Sequence, residues 1–263
     1  MSYLVRTHRQ SLRDLTPARV SLPTTGHSIA TEEVLSFQLA HAKARDAVQT
    51  AFHLASFARR LNAELPILVE ASIPVLQLRS NAPDRRAYLR QPNLGRTLHP
   101  DSLAQLRPAS CQLAIIIADG LSALAVERNA IPVLAHLVPK LLANAWTIAP
   151  LTLVQQGRVG IGDAIGFGLG VSCSLILIGE RPGLSSFDSM GAYLTWSPNQ
   201  DRTDADRNCI SNIRDGGLSP EAAAARLFWY LQAARAKRQT GISLKEGSLE
   251  FDLAAPPATD RIS

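Results

Sequence analysis

The sequence predicts an α/β fold: a Rossmann-like or flavodoxin-like parallel sheet with helices on both faces, preceded by a helical amino-terminal region. Three observations predict it. The runs QLAIIIADG (112–120) and VSCSLILIGE (171–180) are continuously apolar, as strands buried on both faces must be, and each ends in a glycine-bearing loop. From about residue 110 strand and helix patterns alternate, which requires right-handed crossovers and a parallel sheet. The 263 residues, 46% of them hydrophobic, are enough for such a body without disulfide staples. The chain divides into an amino-terminal arm and helical region, 1–100, and an α/β domain, 101–263.

The elements follow in order. Residues 1–30 carry turn residues and little periodicity and read as an irregular arm. A long helix is expected over 31–65, capped by Thr31 and opened by Glu32 and Glu33, whose charge suits its positive end. Leu35, Leu39, Ala42, Asp46 and Gln49 follow helical spacing but form a mixed face. A helix with apolar and charged residues on most faces is expected to touch a partner subunit or a second copy. Pro66 ends the pattern. IPVLQLRS (73–80) reads as a strand, and the Pro- and Arg-rich segment 82–98 as a loop with one helical turn. After the strand at 112–118, Ser122 caps a helix that Pro132 and Pro139 are expected to kink or divide. APLTLVQQ (149–156) is a strand, 157–170 a glycine-rich turn with a short helix, and GAYLTWSP (191–198) a further strand after 171–180. Residues 219–239 form a capped helix with Leu227, Tyr230, Leu231 and Ala234 on one face, and the polar tail after Gly241 is expected to fray.

Composition narrows the function. The net charge of +5 is spread among acids, with no basic stripe interleaved with aromatics, which argues against nucleic acid. No apolar run approaches a membrane span, and the amino terminus lacks a signal-peptide core. Cys111, Cys173 and Cys209 form no CxxC pair, so a reducing cytoplasm is expected. The six histidines form no metal pair and no triad.

Four segments have the chemistry of a site. Gly160, Gly162 and Gly166 resemble a dinucleotide fingerprint with one residue too many, and a close strand–helix packing turn is the favoured reading. GERPGLSS (179–186) leaves the most apolar strand at the edge where α/β sheets take ligands; Glu180 there suits hydrogen bonds from a large polar ligand, or a solvated loop. TDADRNCISNIR (203–214) is dense in hydrogen-bonding side chains, and its Cys209 reads as a small buried filler. Asp119 to Ser122 end a strand on the same edge and either face the ligand or cap the next helix. The residues alone predict an α/β protein that binds a sizeable polar ligand at the sheet's carboxyl edge.

Seven segments carry a resemblance over almost the whole chain: LTPARVSL (15–22), FQLAHAKARDAV (37–48), RSNAPDRRAYLRQPNLGRTL (79–98), ADGLSA (118–123), GRVGIGDAIG (157–166), IGERPGLSSFDSMGAYLTWSP (178–198) and TDADRNCISNIRDGGLS (203–219). Together they resemble the ethanolamine ammonia-lyase small (light) subunit, and ERPGLSS and DADRNCISNI are the most specific of them.

The resemblance implies an adenosylcobalamin-dependent lyase. Such an enzyme deaminates ethanolamine to acetaldehyde and ammonia by radical chemistry and is active only with a large (β/α)8-barrel subunit. No catalytic or metal-ligating residue is then expected in this chain, and 101–263 becomes the cobalamin-binding domain. The resemblance carries cobalamin contacts onto Val159, Glu180 and Cys209. No Asp-x-His-x-x-Gly motif is present, so no histidine of this chain is expected to replace cobalamin's own base. The family suggests three pairs of large–small dimers. About a dozen residues precede LTPARV, fewer than in relatives sent to a bacterial microcompartment, so the free cytoplasm is expected, with the microcompartment as the alternative. The rival from another class is a non-catalytic α/β corrinoid- or nucleotide-binding protein.

Overall fold

The computed structural model describes residue 16 and residues 18–244; most of the expected arm and the tail lie outside the described residues. Within the arm, strands β1 (Thr24–Thr25) and β2 (Ser28–Ile29) pair as a small antiparallel hairpin.

The expected helix over 31–65 is two helices, α1 (Thr31–Gln49) and α2 (Leu54–Glu64), and a third, α3 (Pro66–Glu70), follows where Pro66 was expected to end the pattern. Ala30, not Thr31, occupies the first cap position, with no side-chain cap bond. The first break is tertiary in origin: Phe52, between α1 and α2, is buried in the core against Phe57. Helix periodicity cannot signal a residue pulled inward by distant partners. The second is local, since Pro66 takes the first position of α3 and cannot continue α2.

Six strands form the main sheet: β3 (Val75–Arg79), β4 (Leu113–Ala118), β5 (Leu151–Gln155), β6 (Cys173–Gly179), β7 (Met190–Trp196) and β8 (Arg207–Ile213). Their spatial order is β3-β5-β4-β6-β7-β8. The first four are parallel, including the β4–β6 pair, and β7 and β8 extend the sheet in antiparallel fashion. The sheet draws strands from both sides of residue 100.

Two apolar layers cover the sheet, as the continuous runs require. On β4, Leu113, Ile115 and Ile117 face one layer, and Ala114, Ile116 and Ala118 the other. The first layer holds α2, α3, α6 (Ala123–Ala143) and α8 (Pro220–Lys237). The second holds α7 (Ile161–Gly168) and the segment around Leu98 and Leu106. Short helices α4 (Arg85–Arg90) and α5 (Pro100–Leu103) and a 3-10 turn, Pro92–Arg96, lie in the connection from β3 to β4.

Ser122 Oγ accepts from Ala125 N at 3.2 Å and Ser219 Oγ from Ala222 N at 3.2 Å, capping α6 and α8. Helix α6 runs undivided through Pro132 and Pro139 because eleven of its 21 residues are buried. That packing outweighs a cost of roughly 3 kcal/mol per interior proline.

Candidate functional site

The four parallel strands end on one edge, and their exits diverge in a way that marks a ligand crevice. The chain leaves β4 for α6 on one face of the sheet and leaves β5 for α7 on the other. Between adjacent strands whose connections part in this way, a gap opens at the carboxyl edge.

Here the gap is filled by the chain's own side chains. Asp119, just past β4, accepts from Gly157 N at 3.1 Å, just past β5. Arg85 lies over Asp119, with Nη1 3.5 Å from its Oδ2, 2.8 Å from Gly120 O, and Nε donating to Val48 O at 2.7 Å. Tyr88 is fully buried and its hydroxyl donates to Gly157 O at 3.0 Å. Arg158 stacks on the Tyr88 ring at 4.2 Å and Arg85 at 4.8 Å. Burial pushes the Asp119 carboxyl up to about 6, against the opposing pull of Arg85 and the backbone donors. Arg85 Nη2, Arg158 Nε and Gln156 Oε1 are buried here without a hydrogen-bond partner.

The next exit is narrower still. Gly120 has φ +56°, and a Cβ on it would sit 2.2 Å from Gly179 O; Leu121 N donates to that same carbonyl at 2.9 Å. The β4 exit therefore presses directly on the end of β6, a contact only glycine admits.

Glu180 follows Gly179, half-buried. Its Oε2 accepts from Ser189 Oγ at 2.5 Å and from Asn212 N at 3.3 Å, and its backbone N donates to Ser189 O at 2.9 Å. Its Oε1 would lie 2.9 Å from a Cβ on Gly191, so the absence of a side chain there gives the carboxylate its place. Asn212 reaches Glu180 because β8 slips in register beside Gly191: Ala192 pairs with Ile210, whereas Met190 pairs with Ile213. Asn212 there has φ +60°, and the irregularity turns its N–H toward the carboxylate.

Cys209 is exposed on β8, not the buried filler its sequence suggested, because it points away from the core that holds Asn208 and Ile210. It pairs in register with Tyr193, which sets the two side chains on one face, and the Glu180 charge bears on both. Desolvation, Cys209 and Glu180 raise the Tyr193 hydroxyl above its ordinary value. Val159 and Tyr193 border the same apolar layer. The structure therefore brings Glu180 and Cys209 together through Tyr193 and sets Val159 in the exit of β5, with β4 between that strand and β6.

The glycine-rich turn packs as the favoured sequence reading expects. A Cβ on Gly166 would lie 2.5 Å from Pro198 Cγ and 3.2 Å from Ser174 Cβ of β6, whereas one on Gly162 would make only ordinary contact, 3.6 Å from Ile176 Cβ. Behind it, Asp163 of α7 pairs with Arg207 of β8, each at least nine-tenths buried, and joins the Val159 segment to the strand of Cys209. Burial pushes Asp163 up to about 6 while Arg207 opposes the shift.

A cleft of about 390 Å³ opens between α1 and residues 182–184 of the loop that follows β6. Its walls include Ala44, Val48, Pro182 and Leu184, with His41, Arg45 and Gln49 as the polar members. Among the described residues, no group of three or more His, Cys, Asp or Glu is placed to hold a metal ion.

Sequence reasoning missed the roles of Arg85, Tyr88, Ser189 and Tyr193. Their partners lie up to 70 residues away, and only the density of Arg in 82–98 hinted at buried polar work there.

Comparison with known proteins agrees along the chain. Residues 6–245 match the family model described as Ethanolamine ammonia-lyase light chain (EutC). A protein of Pseudomonas putida (strain KT2440), called ethanolamine ammonia-lyase small subunit, is 48% identical over 242 residues, covering 90% of this chain and 86% of that one. The protein of that name from Azotobacter vinelandii (strain DJ) is 47% identical over 243 residues, covering 90% and 87%. That from Pseudomonas fluorescens (strain Pf0-1) is 46% identical over 255 residues, covering 95% and 90%.

Proposed function

The chain belongs to the ethanolamine ammonia-lyase light-chain family, and from that premise we propose that it is the cobalamin-contacting small subunit of an ethanolamine ammonia-lyase. With a large (β/α)8-barrel subunit it converts ethanolamine to acetaldehyde and ammonia by adenosylcobalamin-dependent radical chemistry. Alone it is inactive.

The observation that carries this reading is Glu180. It stands at the sheet's ligand-binding edge, with Oε2 fixed by Ser189 and Asn212 and Oε1 beside the side-chain-free Gly191. A fixed acceptor of this kind suits the amide donors around a corrin ring. The cleft of about 390 Å³ is apolar with a polar rim, but it is far too small for a whole corrinoid. That mismatch fits a subunit that covers part of the cofactor while a partner holds the rest.

When bound, the cofactor supplies the radical chemistry through its cobalt–carbon bond. This chain's residues bind and orient. Glu180 accepts hydrogen bonds, Val159 offers an apolar contact beside α7, and Cys209 a small polarisable one backed by Tyr193. No histidine of the chain takes the place of the cofactor's own base.

The partner is received in part on α1. Leu35 is 59% and Leu39 58% exposed, and Val34 and Phe37 are exposed beside them. A helix with this much bare apolar surface is a natural docking element. No described helix is long and apolar enough to cross a membrane. The reading puts the enzyme in the cytoplasm, free or within a bacterial microcompartment. The rival reading, a free-standing corrinoid or nucleotide carrier, is disfavoured because Arg85 and Tyr88 fill the crevice such a carrier would use.

Co-expression with and without the large subunit tests the proposal. Ethanolamine deamination should require both chains and adenosylcobalamin. Deamination by this chain alone, or by the pair without the cofactor, would overturn it.

A further inference from the structure

We propose that Asp119 is a positioning residue that fixes the loop 156–160 at the cofactor edge, acting through Gly157 with Arg85 and Tyr88 behind it. The inference rests on the reading of Val159 as a cobalamin contact.

Gly157 lies two residues before Val159, and both of its backbone groups are held from outside its own loop. Its N–H donates to Asp119 Oδ1 at 3.1 Å, and its carbonyl accepts from the Tyr88 hydroxyl at 3.0 Å. It cannot drift toward the sheet, because a Cβ on it would already lie 2.9 Å from Ala118 Cβ. The next residue is held too: Arg158 N donates to Gly95 O at 2.8 Å while its guanidinium stacks on Tyr88. Val159 is the first residue past this clamp.

Arg85 closes the arrangement. It joins Asp119 and Gly120 O to Val48 O near the end of α1, so the Asp119–Arg85 pair ties the β4 exit, the β5 exit, α4 and α1 together. A buried carboxylate bonded to backbone N–H across two strand exits holds a loop in place more rigidly than apolar packing does. The crevice that other parallel sheets use for ligands here serves to aim a neighbouring loop.

The test uses the complex co-purified with its large subunit and equilibrium binding of hydroxocobalamin. Asp119→Asn should weaken binding about 10-fold and Tyr88→Phe about 3-fold, the scale of a lost hydrogen bond to a buried group. The double variant should lose less than the product of the two, because both act through Gly157. The KM for adenosylcobalamin should rise by similar factors, with kcat changed less than about 2-fold. A purely structural Asp119 would instead lower the yield of complex and leave its affinity unchanged, and that result would overturn the inference. If Asp119→Asn does not assemble, Tyr88→Phe decides alone, since it keeps the ring and removes only the bond to Gly157. Weakened binding in Glu180→Ala with unchanged binding in the Asp119 and Tyr88 variants would sink this inference and spare the cobalamin reading. Absence of hydroxocobalamin binding by the wild-type complex would sink both.

Discussion

Helices α1 and α6 are nearly equal in length, 19 and 21 residues, and both are rich in Ala and Leu, yet they live under opposite conditions. Helix α6 buries eleven residues against the sheet and α8, and holds two interior prolines. Helix α1 buries only Ala47 and leaves Val34, Leu35, Phe37 and Leu39 exposed. The difference teaches where each helix gets its stability. Most helical stability in proteins comes from packing of an apolar face, not from propensity. Helix α6 finds that packing within the chain. Among the described residues, helix α1 has only scattered contacts instead: Arg19 lies over the Phe37 ring, Lys43 lies 6.0 Å from the Phe187 ring, and Val48 O meets Arg85.

The largest expected effect falls on the packed helix. Leu134→Ala removes a fully buried side chain from the first layer and should cost about 2–5 kcal/mol in chemical denaturation. A loss below about 1 kcal/mol would mean α6 is not held as its burial implies.

The pH response should also separate the two regions, because the buried acid Asp119 lies at the foot of α6, whereas Glu32 and Asp46 on α1 are exposed. The folded-state value of Asp119, about 6, lies above the ordinary 3.8, so the folded chain holds that proton more tightly. Its stabilising contribution is full below pH 3.8 and lost as pH rises through 6. Between pH 4 and 7 this amounts to at most about 3 kcal/mol. Denaturation midpoints of wild type and Asp119→Asn at several pH values check it. The wild type should lose stability relative to the variant as pH rises, and parallel curves would refute the shift.

The smallest effect on the chain itself belongs to α1. Replacing Leu35 and Leu39 by Ser should change the chain's own stability by less than about 0.5 kcal/mol per site. The same change should weaken association with the large subunit about 10-fold or more, as the loss of two apolar anchors would. Unchanged association in a sedimentation or titration assay would leave α1 a solvated arm and break the comparison.

The same contrast governs what was legible in the sequence. β4 and β6 were readable because both of their faces are apolar, and Ser122 and Ser219 announced the helices they cap. β8 was not. Its inward residues Asn208 and Ile210 keep the period of two, but the slip beside Gly191 moves the next inward residue to Ile213, and the alternation is lost. The split of α1 from α2 was invisible because distant core residues, not a local breaker, draw Phe52 inward. In the site, its position just past an apolar strand put Glu180 at the carboxyl edge, and the resemblance named Val159, Glu180 and Cys209 as cobalamin contacts. The supports, Ser189 and Asn212 under Glu180 and Tyr193 beside Cys209, depend on pairing across β6, β7 and β8 and have no local signature.

The central claim is that the carboxyl edge of this sheet holds cobalamin through Glu180, and equilibrium binding of hydroxocobalamin to the assembled Glu180→Ala complex tests it most directly. Loss of charge-assisted hydrogen bonds should weaken binding by about one to two orders of magnitude, with assembly little changed. The maximal rate at saturating coenzyme should fall less than the affinity. Wild-type affinity in an intact Glu180→Ala complex would contradict the claim and leave Glu180 a loop carboxylate bonded only to Ser189 and Asn212.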